Sequence, residues 1–148
     1  MILLIRHAHA VDRDEAEVAD EERWLTVKGR DVSRRMGEAL RRRGLALDEV
    51  WTSPLVRAVQ TAEIVAAAAG YAGAVTVLPA LAPGGRIRRV AEALEARAGV
   101  VAAVGHESDI STLAARLCGQ AAFPPLKKGQ IIAIDAGQVH LSLDPDKT

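Results

Sequence analysis

Residues 2–10 read Ile-Leu-Leu-Ile-Arg-His-Ala-His-Ala, a short apolar run that ends abruptly at Arg6 and His7. Strands that are covered on both faces of an α/β sheet are almost continuously hydrophobic rather than alternating. Ligands of such sheets bind outside the carboxyl ends of the strands. This stretch therefore predicts a buried strand that carries Arg6 and His7 to a functional edge.

A second apolar run, Gly99-Val-Val-Ala-Ala-Val104, has the same form and is followed by Gly105, His106 and Glu107. The repeated pattern predicts a second buried strand with polar groups at its carboxyl end. A helix is expected from Asp109, so free N–H groups of its first turn would face the same edge.

The rest of the chain alternates between strand and helix patterns, which favours a largely parallel sheet covered on both faces by helices. We therefore predict a three-layer α/β/α sandwich with an antiparallel ribbon at its end. The charge-rich segment 11–24 is predicted to be a solvated loop with room for a short helix. Strands are predicted at 50–52, 75–78, 131–134 and 139–143, and helices from Thr26 to Gly44 and at 54–69, 86–97 and 109–117.

Length and charge narrow the class of protein. With 148 residues, the chain is expected to form one domain over residues 1–148. Lys plus Arg equal Asp plus Glu at 19 each, so no general attraction to nucleic acid or to a membrane surface is expected. The single cysteine cannot form an intrachain disulfide, and no signal peptide or membrane-spanning run is recognised. We expect a soluble, cytoplasmic monomer.

Four side chains are candidates for chemistry because each lies at or just beyond a predicted strand end. They are Arg6, His7, Arg57 and His106, and only the fold could bring them together. The planar fork of arginine matches phosphate oxygens. Two guanidiniums and two imidazoles around one crevice therefore predict a site for a compact dianion such as a phosphoryl group. Ser53, at the strand-to-helix turn before Arg57, is a candidate substrate-binding residue.

The same segments carry a family resemblance. The motifs are Arg6-His7-Ala8, Leu25-Thr-Val-Lys-Gly29, Ser53-Pro-Leu-Val-Arg-Ala-Val-Gln-Thr61 and Val104-Gly-His106. With these motifs, the chain resembles the histidine phosphatase superfamily, which has the phosphoglycerate mutase-like fold. The short length and the stretch Leu78-Pro-Ala-Leu-Ala-Pro-Gly-Gly85 make it most similar to the small branch typified by the SixA phosphohistidine phosphatases.

The resemblance implies a role for each of the four candidates. His7 would be the nucleophile that becomes a phosphohistidine, while Arg6, Arg57 and a protonated His106 would hold the transferring group. A neutral imidazole can attack phosphorus without losing a proton, and charge on the equatorial oxygens is stabilised by the cations. Neither a metal nor a cofactor is expected.

One departure from the superfamily bears on the substrate. Many relatives carry a carboxylic acid in the loop that corresponds to residues 79–86, and this chain has no Asp or Glu there. An alkoxide leaving group would gain much from such an acid, whereas an imidazole that leaves phosphohistidine needs less help. We therefore predict phosphohistidine in a protein as substrate, with a small phosphate ester as the alternative. Glu107 is a possible proton donor, or else a carboxylate that serves only the helix start.

Two rival functions remain open at this point. His7, His9 and Asp12 have spacing that can ligate zinc in metallohydrolases, although the two arginines would repel a cation. A phosphate-binding module without catalysis would need the same arginines and histidines but would form no covalent intermediate.

Overall fold

The apolar run at the amino terminus forms an inner strand of a six-stranded sheet. The computed structural model describes residues 1–148. Its strands are β1 (Ile2–Arg6), β2 (Glu49–Thr52), β3 (Val75–Val77), β4 (Val101–Gly105), β5 (Ile131–Asp135) and β6 (Gln138–Leu143). Its helices are α1 (Arg13–Ala16), α2 (Val27–Arg42), α3 (Val56–Ala68), α4 (Ile87–Glu95) and α5 (Asp109–Leu117), with single 3-10 turns at Asp20–Glu22, Pro79–Leu81 and Pro145–Lys147.

The sheet has the strand order β3-β2-β4-β1-β5-β6. Strands β3, β2, β4 and β1 are parallel, whereas β5 pairs with β1 and with β6 in the antiparallel sense. The carboxyl ends of β2, β4 and β1 therefore lie side by side at one edge. The predicted parallel sheet with a terminal antiparallel ribbon is confirmed.

The two faces of the sheet bury two separate hydrophobic cores because successive strand residues point to opposite sides. Leu3 and Ile5 pack in one core with residues of α2 and α3 such as Met36. Leu4 packs in the other core with residues of α4 and α5 such as Leu113. These three layers confirm the predicted sandwich and explain why β1 is apolar on both faces.

Helix α2 begins where the sequence predicts. The Thr26 hydroxyl accepts a hydrogen bond from the backbone N–H of Gly29 at 3.1 Å, which caps the first turn. A Cβ on Gly29 would lie 2.1 Å from the carbonyl oxygen of His9, so a side chain at this position would collide with the backbone beside the site.

Helix α3 begins two residues later than predicted, because the segment before it forms a turn. The backbone N–H of Leu55 donates to the Ser53 hydroxyl at 3.2 Å, and Leu55 itself is extended. Pro54 therefore lies in the turn and not in the helix, and Arg57 becomes the second residue of α3. None of the helices is both long and apolar enough to cross a membrane.

Candidate active site

The register of the parallel strands sets two histidines at one edge of the sheet. The backbone N–H of His7 donates to the carbonyl of Gly105 at 3.0 Å, and Arg6 pairs with Gly105. His7 and His106, the residues that follow β1 and β4, are therefore neighbours at the ends of the two strands. On the other side of β4, the backbone N–H of Ser53 donates to the carbonyl of Val104 at 3.0 Å. The centroids of the two imidazole rings lie 5.0 Å apart. The predicted convergence of these distant segments is present in the structure.

The His7 ring is held in one tautomer. Its Nδ1 lies 2.8 Å from the backbone carbonyl oxygen of Ala8, and a carbonyl can only accept, so Nδ1 carries the proton. The Nε2 atom consequently has a free lone pair in the neutral ring. The ring is almost fully buried, with 8% of the residue exposed.

A threonine connects this loop to α3. The Thr61 hydroxyl donates to the Arg57 carbonyl at 2.8 Å and accepts from the backbone N–H of Ala8 at 3.0 Å. Thr61 is fully buried. It therefore fixes the backbone that orients His7 against the helix that carries Arg57.

His106 is held by Ser53. The Nε2 atom of His106 lies 2.7 Å from the Ser53 hydroxyl oxygen. Because that hydroxyl accepts from the backbone N–H of Leu55 and has no other acceptor for its own proton, we assign the proton to the bond with Nε2. The Nδ1 atom of His106 then carries the ring proton and is a hydrogen-bond donor.

Burial keeps both rings neutral. It is the main cause that lowers the pKa of His7 to about 3 and that of His106 to about 4. The positive charges of Arg57 and Arg6 lower both pKa values further, so both guanidiniums act electrostatically on both imidazoles. The expectation of a protonated His106 is wrong for the ligand-free site, because a desolvated ring beside two guanidiniums loses its proton.

The two arginines are anchored by backbone carbonyls from outside the predicted motifs. Nη1 of Arg6 donates to the carbonyl of Leu126 at 2.8 Å. Nη1 of Arg57 donates to the carbonyl of Asp20 at 2.8 Å, and its Nη2 lies 3.3 Å from the Asp20 carboxylate. Arg57 is only 5% exposed, so this pairing fixes a buried cation.

Within the cluster formed by Arg6, His7, Arg57 and His106, three buried nitrogens have no hydrogen-bond partner in the protein. They are Nε of Arg6, Nε of Arg57 and Nδ1 of His106. Buried polar groups in native proteins are almost always paired, so unpaired donors at one sheet edge indicate a ligand that brings several acceptors. Two of the donors are cationic, and His7 adds a lone pair. The arrangement is therefore suited to an anion with several oxygens around an electrophilic atom.

Two residues predicted around this cluster have other contacts. The Glu107 carboxylate accepts from the backbone N–H and hydroxyl of Ser111 and from the backbone N–H of Leu126, so both of its oxygens are engaged. This geometry favours the helix-start alternative over the proton donor. Ser53 is fully buried and bonded to His106 and Leu55, so its side chain contacts the histidine rather than an open crevice.

The zinc alternative is not supported by the positions of its three residues. Nδ1 of His9 bonds to the Thr26 hydroxyl at 2.8 Å, and Asp12 is exposed at the start of α1. No group of three or more His, Cys, Asp or Glu side chains is arranged to hold a metal ion. His9 therefore braces the start of α2.

Three further groups contribute to the site beyond the candidate residues predicted from the sequence: the Asp20 carboxylate, the Leu126 carbonyl and the Thr61 hydroxyl. A signal existed for Asp20, since a phosphatase-like motif set without a carboxylate in the 79–86 loop invites a search for a carboxylate elsewhere. Thr61 is the last residue of the Ser53–Thr61 motif, so the motif itself marks it, whereas no local pattern identifies the Leu126 carbonyl.

Comparison with known proteins agrees with this geometry. The model of the histidine phosphatase superfamily (branch 1) matches residues 2–83. Phosphohistidine phosphatase SixA of Escherichia coli is 34% identical over 121 residues, covering 79% of this chain and 73% of that protein. An uncharacterised protein of Picosynechococcus is 35% identical over 152 residues, covering 98% and 90%.

A solved structure extends the similarity to nearly the whole chain. The structure of the protein histidine phosphatase SixA complexed with tungstate superposes with a TM-score of 0.87 at 29% identity, covering 99% of this chain and 97% of that one. The predicted phosphoglycerate mutase-like α/β fold is thereby confirmed.

Proposed function

This chain belongs to the histidine phosphatase superfamily, and we propose that this phosphatase removes the phosphoryl group from phosphohistidine in a protein through a covalent intermediate on His7. The observation that carries the proposal is the set of three unpaired buried donors, on Arg6, Arg57 and His106, in the same cluster as the free Nε2 of His7. We propose further that residues 1–148 act as one catalytic domain.

In the first step, Nε2 of His7 attacks phosphorus in line with the bond to the leaving nitrogen. A P–N bond forms to Nε2 while the P–N bond of the substrate breaks, and its electron pair stays on the departing imidazole. His7 loses no proton, since Nδ1 keeps its hydrogen bond to the Ala8 carbonyl. Arg6, Arg57 and His106 stabilise charge on the equatorial oxygens by donating to them.

In the second step, water attacks the phosphorus of phosphorylated His7. A P–O bond forms, the P–N bond breaks, and its electron pair returns to Nε2. Both water protons leave with the product as dihydrogen phosphate, and the returned electron pair makes the ring neutral again. Because a buried histidine with a pKa of about 3 disfavours positive charge, the phosphorylated ring is a labile intermediate that favours hydrolysis.

Phosphohistidine fits this site better than a phosphate ester because no carboxyl group near the cluster is available as a proton donor, the arginine-paired Asp20 being ionised. The 79–86 segment lacks Asp and Glu, and the Glu107 oxygens are engaged. An ester would release an alkoxide that needs a proton from the enzyme. Tungstate, which is present in the SixA complex, is an oxyanion that we expect to bind the same donors here.

The test is turnover of a phosphohistidine peptide beside a phosphoserine peptide of the same sequence. We expect a much larger kcat/KM for phosphohistidine and, after rapid alkaline quenching, phosphate on His7 detected by mass spectrometry. His140→Ala is the matched control, since His140 is exposed on β6. Equal turnover of the two peptides would refute the substrate assignment, and a phosphate never found on His7 would refute the covalent step.

A further inference from the structure

One carboxylate, that of Asp20, contacts a side chain of the phosphoryl-binding cluster formed by Arg6, His7, Arg57 and His106. Asp20 lies in the 3-10 turn Asp20–Glu22, within the charge-rich segment after β1. Of the other nearby carboxylates, Glu107 bonds to Ser111 and Leu126, and Asp109 accepts from the backbone N–H of Gly84 at 2.8 Å. Asp20 alone reaches an arginine of the cluster.

Three arginines hold Asp20 in place. Its Oδ1 lies 2.9 Å from Nε of Arg23 and 3.1 Å from Nε of Arg13, while its Oδ2 lies 3.3 Å from Nη2 of Arg57. Burial raises the pKa of Asp20, but the hydrogen bond from Arg23 and the charges of the three arginines lower it overall. The carboxylate is therefore an acceptor at neutral pH and not a proton donor.

The Asp20 carboxylate keeps unused hydrogen-bonding capacity beside Arg57, one of the residues proposed to bind the phosphoryl group. A carboxylate offers about four lone-pair positions, and Oδ2 of Asp20 has a single, long hydrogen bond. Its negative charge also raises the pKa of His106, so Asp20 acts electrostatically on the cluster itself. Its side chain is 31% exposed, so an incoming group can reach it.

We propose that Asp20 is a specificity-determining residue whose carboxylate accepts a hydrogen bond from the protonated free ring nitrogen of the phosphohistidine substrate. This inference rests on the proposed function. An imidazole that carries a phosphoryl group on one nitrogen keeps a second nitrogen that can hold a proton. The ionised carboxylate binds the resulting cation next to the arginines that bind its phosphoryl group.

The first step then balances without an acid from the enzyme. The P–N bond of the substrate breaks, and its electron pair neutralises the imidazolium ring. The proton on the second nitrogen remains there, hydrogen-bonded to Asp20, and the product leaves as neutral histidine. A serine phosphate has no such proton and would release an alkoxide beside a fixed negative charge. Asp20 thereby favours P–N over P–O substrates.

The experiment compares Asp20→Asn with Glu21→Gln, an exposed residue of the same turn that loses the same charge. Two substrates are used: a phosphohistidine peptide and para-nitrophenyl phosphate, whose leaving group needs neither a proton nor a carboxylate. Loss of Arg57 positioning would lower kcat/KM for both substrates alike. We expect Asp20→Asn to lower the ratio of kcat/KM for phosphohistidine over para-nitrophenyl phosphate by about 10- to 100-fold, as a charge-assisted hydrogen bond would.

The outcomes separate this inference from the proposed function. If wild-type protein turns over phosphohistidine but Asp20→Asn leaves the ratio at the Glu21→Gln value, the role of Asp20 is refuted and the proposed function stands. If wild-type protein does not act on phosphohistidine, the proposed function itself fails. A circular-dichroism spectrum that matches wild type confirms that the variant is folded.

Discussion

The buried histidines should make the protein lose stability on mild acidification. Lowering the pH from 7 to 5 protonates histidines of the unfolded chain, whose pKa is about 6.5. The folded chain does not take up these protons, because its pKa values are about 3 for His7 and about 4 for His106. The unfolded state therefore binds more protons throughout this interval, and the free energy of unfolding must decrease as the pH is lowered.

The magnitude follows from the distance between pH 5 and the unfolded pKa. At pH 5, each histidine that stays neutral in the fold lowers the free energy of unfolding by roughly 2 kcal/mol. This follows because pH 5 lies about 1.5 units below the unfolded pKa and each unit corresponds to about 1.4 kcal/mol. Together His7 and His106 should remove roughly 4 kcal/mol between pH 7 and pH 5. In the folded protein His106 begins to protonate below about pH 5 and His7 below about pH 4, so the slope should flatten for these two groups there.

Urea unfolding at the two pH values, in buffer without phosphate, measures this difference. The double variant His7→Gln, His106→Gln should lose most of the pH dependence, and each single variant about half of it. His140→Gln, which changes an exposed strand histidine, is the control and should behave as wild type. Only the difference between the two pH values counts, so a variant that is less stable at both remains informative. Equal pH dependence in wild type and in the double variant would refute neutral burial of the two rings.

Three further predictions concern the chemistry. His7→Ala should abolish turnover of every phosphorylated substrate, as followed by phosphate release, because no other side chain of the cluster offers a free lone pair; substantial remaining activity would contradict the nucleophile assignment. Arg57→Ala and His106→Ala should each lower kcat by about 100- to 1000-fold, in line with the loss of one preorganised donor, and a loss below tenfold in steady-state kinetics would argue against their contact with the phosphoryl group. Tungstate at about 100 times its Kd should stabilise wild-type protein by about 2.7 kcal/mol in thermal unfolding, and Arg6→Ala should remove most of that effect; no stabilisation of wild type would refute the anion site.

Much of the fold could be predicted because its signals are local. The apolar runs before His7 and His106 identify β1 and β4, since only a strand covered on both faces is so uniformly hydrophobic. The parallel arrangement of those strands then places both histidines at one edge. Hydrophobic periodicity predicts the start of α3 too early. The Ser53 side chain bonds to the backbone of Leu55 and forms a turn that competes with the helix, and periodicity carries no information about such a bond.

The partners of the candidate site residues could not be predicted in the same way. The Leu126 carbonyl that anchors Arg6 lies 120 residues away in the sequence, and any residue type presents a carbonyl. Asp20 is one of several acidic residues in its segment, and nothing local separates it from exposed Glu21. Glu107 is a candidate acid from the sequence because it follows His106. Its hydrogen bond from the backbone N–H of Leu126 depends on how the loop after α5 folds, which the sequence pattern does not show.

The amino-acid sequence by itself determined the layered α/β architecture, the two histidines and two arginines of the site, and the family, because strand ends and motif residues are properties of short segments. The tertiary structure decided the protonation state of both rings, the orientation of each guanidinium and the place of Asp20. These depend on burial and on hydrogen bonds between segments far apart in the chain. Such contacts exist only after the strands pair and the loops close over their ends.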